Sequence, residues 1–94
     1  MESIIQTEKE CYISQSTTRL HKHHVYGGYG VRNLSEKYGL WIWLRADWHI
    51  QTPYAIHNNK PLRERIQREV QIIAMEHYGW SVDDFRQIFG RSFL

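Results

Sequence analysis

The chain has 94 residues, of which 41% are apolar and 23% charged, and its formal net charge is +2. This length supports one domain and excludes a two-domain enzyme, because independent cores usually need on the order of 100 residues each. The composition is that of a globular protein rather than a disordered one, and the small net charge gives no bulk argument for a nucleic-acid partner.

The first strand is predicted near residue 20. Residues 1–12 carry a run of charged side chains and are expected to form a solvated arm that leads into a turn at residues 11–16. Residues 17–26 mix β-branched, aromatic and histidine side chains without a helical stripe, which favours a short strand. The glycines at positions 27, 28 and 30 are expected to end that strand.

A second strand is predicted after a short helical turn. Residues 33–38 can form this turn, and Gly39 is an expected helix stop. Residues 40–44 are a continuous run of large apolar side chains typical of a buried strand, and the two strands could pair as an irregular hairpin. Residues 46–51 can begin a helix that Pro53 interrupts, because the residue before a proline disfavours helical geometry.

The second half of the chain is predicted to be helical. The asparagine pair at positions 58–59 offers caps for a long amphipathic helix that ends at Gly79. Ser81 and Asp84 resemble the capping box of a further helix, which Gly90 ends. The predicted fold class is therefore α+β, with two strands and a short helix followed by two packed helices.

Four of the six histidines are placed so that they could share one metal ion. His23 and His24 lie near the end of the first predicted strand, and His49 and His57 follow the second. Neutral imidazole binds first-row divalent metals at roughly 2.0 to 2.1 Å, so the ligand atoms must converge on a small volume. On one continuous helix His49 and His57 would stand about 12 Å apart, and the bend expected at Pro53 is needed to bring them together.

The adjacent residues His23 and His24 can share one site only under a second geometric condition. Neighbouring side chains of a strand point to opposite faces, so His23 and His24 reach one site only if the strand twists, bulges or ends there. The glycines that follow make such an ending plausible. His21 is expected to be a solvent-facing strand residue, with an alternate ligand or a phosphate contact as the other interpretation.

Five segments in this order resemble the HNH endonucleases, the ββα-metal group of nucleases, and specifically their small phage-borne members. They are Leu-His-Lys-His-His-Val-Tyr-Gly at residues 20–27, Asn-Leu-Ser-Glu-Lys-Tyr-Gly-Leu at 33–40, Arg-Ala-Asp-Trp-His at 45–49, Ala-Ile-His at 55–57, and Phe-Arg-Gln-Ile-Phe-Gly-Arg-Ser-Phe-Leu at 85–94. The resemblance covers about residues 11–94. It implies a single domain over residues 1–94, with a ββα-metal core at 11–57 and a helical extension at 58–94.

The resemblance also implies a chemistry, the hydrolysis of DNA phosphodiester bonds with one divalent ion, which would be magnesium, manganese, nickel or zinc. His23, His49 and His57 would hold the ion, and His24 would be the general base. An imidazole with a pKa near 6.5 can take a proton from water at neutral pH, while the metal stabilises charge on the phosphate and the leaving group.

The chain departs from the family pattern in two places. Many relatives bind a structural zinc through cysteines near positions 11, 14, 45 and 48, which here are Cys11, Ser14, Arg45 and Trp48, so no structural zinc is expected. The middle asparagine of the HNH name falls near Leu40, which cannot hydrogen-bond. A second interpretation is therefore a catalytically silent binding module, such as a phage protein that inhibits a host defence complex.

Partners and location follow from the same observations. DNA is the expected partner, and Lys22, Arg63, Arg65 and Arg68 are the candidate phosphate contacts, although the three arginines also fit a solvated face paired with glutamates. Double-strand cutting would need a homodimer or two successive nicks. The longest apolar run, residues 40–44, is too short to cross a bilayer, so we expect a cytoplasmic protein without a membrane partner.

Overall fold

Two strands form an antiparallel hairpin whose connection contains a helix. The computed structural model describes residues 1–94; strand β1 spans Leu20–His24, helix α1 spans Val31–Tyr38, and strand β2 spans Trp41–Arg45. The register places His23 opposite Ile42. The predicted hairpin is confirmed, with a first strand shorter than the predicted residues 17–26.

Two glycines set the ends of α1. Gly30 precedes the helix and Gly39 ends it, both in the left-handed region at φ 79° and 70°. The backbone N–H of Gly39 donates to the carbonyl oxygen of Glu36, which closes the last turn. A Cβ atom at position 39 would lie 2.5 Å from the carbonyl oxygen of Glu2. Only glycine therefore fits here without displacing the backbone of the N-terminal segment.

The chain makes two short helical turns after β2. A π-helical turn spans Asp47–Gln51, and a 3-10 turn spans Ile56–Asn58. Between them Thr52 is extended, at φ −135° and ψ 163°, as expected for the residue before Pro53. The hydroxyl of Thr52 donates to the carbonyl oxygen of Asp47 at 2.6 Å, which tightens the first turn. The predicted bend between residues 51 and 55 is confirmed.

Two helices complete the chain. Helix α2 spans Lys60–Tyr78, and the side chain of Asn59 caps it by accepting from the N–H of Leu62 at 3.2 Å. Helix α3 spans Val82–Phe89 and begins with the capping box predicted for Ser81 and Asp84. The predicted helix ends at the glycines of positions 79 and 90 are also observed.

One aromatic side chain joins the hairpin to the helices. Tyr26, two residues beyond β1, packs its ring against Phe85, Phe89 and Phe93, with centroid distances of 4.8 to 5.4 Å. Its hydroxyl donates to the carbonyl oxygen of Gln67 on α2 at 2.6 Å. The buried core includes residues from β2, from the two positions after β1, and from α2 and α3, and Leu20 of β1 packs against it, so hairpin and helices share one core.

The N-terminal segment lies along the free edge of β2. Ser3 donates through its hydroxyl to the carbonyl oxygen of Trp41, and the N–H of Tyr12 donates to the carbonyl oxygen of Trp43. The N–H of Trp43 donates to the side-chain oxygen of Gln6. The prediction of a solvated arm is wrong for most of this segment, because the unpaired backbone groups of an edge strand need partners.

The architecture is α+β, with a hairpin followed by helices, as predicted. This order of elements is compatible with a ββα-metal layout but is not specific to HNH nucleases. The element that directly follows the hairpin is only five residues long, Asp47–Gln51. None of the helices combines the length and the apolar character required to cross a membrane.

Two glycine variants separate backbone strain from steric conflict. Gly39 and Gly79 end helices at nearly the same φ, 70° and 69°, but a Cβ atom at Gly79 would meet nothing within 4 Å. We expect Gly79→Ala to lower the free energy of unfolding by roughly 1 to 2 kcal/mol, the cost of a left-handed alanine. In urea denaturation, Gly39→Ala should lower the free energy of unfolding clearly more than Gly79→Ala does. Equal decreases in the two variants would contradict the close packing of Glu2 on the turn at Gly39.

Candidate metal centre

Three histidine rings from separate elements meet at one end of the hairpin. His23 comes from β1 and is only 7% exposed, His49 from the π-helical turn, and His57 from the 3-10 turn. Their ring centroids are 5.2 Å apart for His23 and His49, 5.3 Å for His23 and His57, and 4.9 Å for His49 and His57. The structure thus brings together the three residues predicted as ligands, because the chain bends at Pro53.

The donor set of this cluster fits a divalent transition metal. Each ring offers one nitrogen, and these three nitrogens all lie within 4.8 Å of one another. Nitrogen ligands at 2.0 to 2.1 Å in a tetrahedral arrangement would be about 3.4 Å apart, so the ring nitrogens need to approach one another by at most about 1.4 Å. Imidazole favours zinc, nickel and copper, whereas magnesium and calcium prefer oxygen ligands. The three rings could therefore hold one such ion.

The environment of the cluster keeps the rings of His23 and His49 neutral. Burial, together with the neighbouring His49 and His57 rings, lowers the pKa of His23 from its ordinary value near 6.5 to about 3. Burial also lowers the pKa of His49, to about 4, with His57 and His21 adding to the effect. Only the neutral ring has a nitrogen lone pair free for a metal. At pH 7 these two ligands are thus already in the metal-binding form.

Contacts behind the cluster hold two of its rings in place. Nδ1 of His49 lies 3.0 Å from Nδ1 of His21, which leaves Nε2 of His49 as the nitrogen outside that contact. Arg63 donates from its guanidinium to the carbonyl oxygens of Ile56 and His57, at 3.3 and 3.5 Å, and so braces the turn that carries His57. Hydrogen bonds of this kind orient the ligands of metal sites.

A polar cavity of about 280 Å³ opens beside the three rings. His24 lies on this cavity as well, because it is the last residue of β1 and the chain turns away after it. Adjacent strand residues point to opposite faces, but His23 and His24 both reach this cavity because the strand ends at His24. The cavity is lined entirely by polar residues and glycines, namely Lys22, His23, His24, Gly27, Gly28, Arg32, His49 and His57.

Two residues of α1 contact the ring of His24, whose side chain is 13% exposed. Nε2 lies 3.1 Å from Oε1 of Glu36, and Nε of Arg32 donates to Nδ1 at 3.4 Å. The carboxylate also accepts from Lys22, and the hydrogen bonds from Lys22 and His24 lower the pKa of Glu36 to about 2. Glu36 is thus ionised at neutral pH and forms a small charged network beside the cavity.

Three residues at this centre were missed by the sequence analysis, which did not assign Arg32 or Glu36 and placed His21 towards solvent. His21 is half-buried against His49, so that expectation is wrong. Arg32 and Glu36 are four residues apart, which puts them on one face of a helix and is the one sequence pattern that could have linked them. That this face meets His24 depends on how α1 packs on the hairpin.

The four predicted DNA contacts have different surroundings. Lys22 lines the cavity and lies over the ring of Trp41 while pairing with Glu36. Arg63 is engaged with the turn that carries His57. Arg65 pairs with Glu69 one helical turn away, and Arg68 is exposed. Of these four side chains, only that of Lys22 lines the cavity, which Arg32 lines as well.

The positions compared above with the zinc-binding cysteines of HNH endonucleases make other contacts here. Cys11 is fully buried in the core, and its sulfur accepts from the N–H of Ser14 at 3.5 Å. Arg45 pairs with Asp47, and the ring of Trp48 packs against Tyr54. Leu40, in the place of the family asparagine, is also fully buried, so it contributes packing rather than a polar contact to His24.

The centre combines a cluster of three histidines with a fourth histidine held between a carboxylate and a guanidinium. Comparison with models of known protein families, with curated proteins and with solved structures finds no match for this chain. What the centre can do follows from its own donor atoms, charges and distances.

Loss of any one of the three rings should weaken ion binding. We expect titration calorimetry of the metal-free protein with zinc or nickel to give one ion per chain. His23→Ala, His49→Ala and His57→Ala should each raise the Kd by more than the roughly 10 to 100-fold that loss of an outer partner costs. His77→Ala is the control, because His77 is exposed near the end of α2. An equal rise in the Kd of His77→Ala, or a wild-type protein that binds no ion, would contradict the metal site.

The lowered pKa of His23 predicts an acid-sensitive fold when metal is removed. Between its ordinary value near 6.5 and its folded value of about 3, the unfolded chain binds more protons than the folded chain, so stability falls as pH falls. In urea denaturation with a chelator, we expect the urea concentration at the unfolding midpoint to be lower at pH 5.5 than at pH 7.5. This decrease should be smaller in His23→Leu than in the wild type. An identical decrease in both proteins would show that His23 does not cause the acid sensitivity.

Proposed function

We propose that this protein is a metal-dependent DNA endonuclease or nickase that hydrolyses phosphodiester bonds, as its resemblance to HNH endonucleases implies. One observation supports it most directly. His24 lies on the same polar cavity as the three-histidine cluster, with two side-chain partners of its own. A potential metal site and a separate basic group on one small cavity are the two components that such a hydrolysis needs.

His24 is the general base of the proposed reaction. Its ring takes a proton from a water molecule, and that water forms the new bond to phosphorus while the bond to the leaving oxygen breaks. The products carry a 5′-phosphate and a 3′-hydroxyl. Arg32 and Lys22 are the phosphate contacts, because both are cations that line the cavity. A phosphate oxygen competes for the Arg32 guanidinium and releases Nδ1 of His24 for the water.

A divalent ion is the proposed cofactor, with His23, His49 and His57 as its ligands. When bound, it would stabilise negative charge on the phosphate and on the leaving oxygen. The all-nitrogen donor set favours nickel or zinc over magnesium and manganese among the four candidate metals. The chain's own contribution is to keep two of these rings unprotonated and oriented before any ligand arrives.

DNA binding is proposed to be local to the cavity. The chain carries twelve basic and ten acidic side chains, and Arg65 is already paired with Glu69. A long track of phosphate contacts would need a surplus of free cations, whereas a short contact around one phosphate needs only a few. Cleavage of one strand fits a single cavity per chain, and cutting of both strands would require a homodimer or two nicks.

A catalytically silent binding module is the second candidate, including a protein that blocks a host or phage complex. The observation that favours it is the buried Leu40 in the place of the family asparagine. This candidate predicts retained binding to a partner without turnover. The two candidates therefore differ in whether DNA is cut.

Plasmid nicking with added nickel, zinc, manganese or magnesium tests the proposal. We expect conversion of supercoiled to nicked circles by the wild type, and a loss of about 100 to 10,000-fold in His24→Ala, the usual range for a general base. His77→Ala should cut at the wild-type rate. Equal cutting by His24→Ala would remove His24 from the mechanism, and absence of cutting by the wild type with every metal would favour the silent module.

A further inference from the structure

The two partners of His24 determine which of its ring nitrogens carries the proton. An arginine guanidinium has only N–H donors and stays charged, so Nδ1 of His24 must be the acceptor in its contact with Nε of Arg32. In the neutral ring the proton then lies on Nε2. That nitrogen faces the carboxylate of Glu36 at 3.1 Å, and an ionised carboxylate can only accept. Both contacts independently require the same tautomer.

We infer that Glu36 is a positioning residue that holds His24 with its proton on Nε2 and its lone pair on Nδ1, the nitrogen that contacts Arg32 of the cavity lining. The inference rests on the proposed function for its consequence in catalysis. The carboxylate further stabilises the imidazolium that forms when His24 takes a proton from water.

The surroundings of Glu36 suit this role. It lies on α1 one helical turn after Arg32, so a single helix supplies both partners of the ring. Lys22, two residues before His24 on β1, donates to the same carboxylate oxygen and ties it to the strand that carries the histidine. The close turn at Gly39 holds the end of α1 against the N-terminal segment, where the N–H of Ile4 donates to the carbonyl oxygen of Gly39. The carboxylate is therefore held from both the helix and the strand.

Paired variants at position 36 test the inference. We expect Glu36→Ala to lower kcat on the order of 10 to 100-fold, as loss of an orienting partner does in comparable sites, with KM and the Kd for the metal nearly unchanged. Glu36→Gln keeps an oxygen that can accept from Nε2 and should recover a large part of kcat. Glu76→Gln, at an exposed position of α2, is the matched control. Equal kcat values for wild type and Glu36→Ala would overturn the inference.

A spectroscopic measurement separates this inference from the proposed function. In ¹⁵N spectra of the imidazole side chains at pH 8, we expect His24 of the wild type to show one tautomer, with a hydrogen-bonded proton on Nε2. Glu36→Ala should lose the protection of that proton, and Glu36→Gln should retain it. A His24 spectrum unchanged in Glu36→Ala would overturn the positioning role even if the protein cuts DNA. A changed spectrum in a protein that never cuts would support the role and reject the nuclease.

Discussion

His23 and His49 can lie this close to each other and to His57 at a partly buried site only if their rings are uncharged, and this constraint governs the candidate metal centre. Burial and mutual repulsion lower the pKa of His23 to about 3 and that of His49 to about 4. Contacts outside the cluster hold these residues together: the His21 ring contacts His49, and the Arg63 guanidinium donates to the turn that carries His57. The result is a set of nitrogen lone pairs that are arranged before any ion binds, which suits a metal site.

The connection between the two strands adds two charged side chains beside the histidine cluster. Helix α1 is inserted between the two strands, and its Arg32 and Glu36 reach the ring of His24 at the end of β1. Tyr26 fixes the chain just beyond this point by packing among the phenylalanines of the C-terminal region. The positions of the histidine cluster, of His24 and of the cationic side chains beside it thus depend on one short segment being held by the common core.

Much of this structure could be predicted from local patterns, and the rest depends on packing between distant segments. Capping residues and left-handed glycines predicted α2 and α3, and Pro53 predicted the bend that brings His57 back to His49. The N-terminal segment was misassigned because its charged residues hide the pairing of its backbone with β2. Glu36 was missed because its i, i+4 relation to Arg32 does not reveal which residue of another element that face contacts. The resemblance to HNH endonucleases, together with the bend expected at Pro53, predicted the histidine cluster, whereas its supporting contacts needed the tertiary structure.

The central claim is that His23, His49 and His57 bind one ion through ring nitrogens. Crystals soaked with zinc and measured on both sides of the zinc absorption edge test it most directly. The account predicts one strong anomalous peak per chain, with a nitrogen of each of the three rings at about 2.0 to 2.1 Å. A peak held by other residues, or three rings that remain apart with no peak between them, would contradict it.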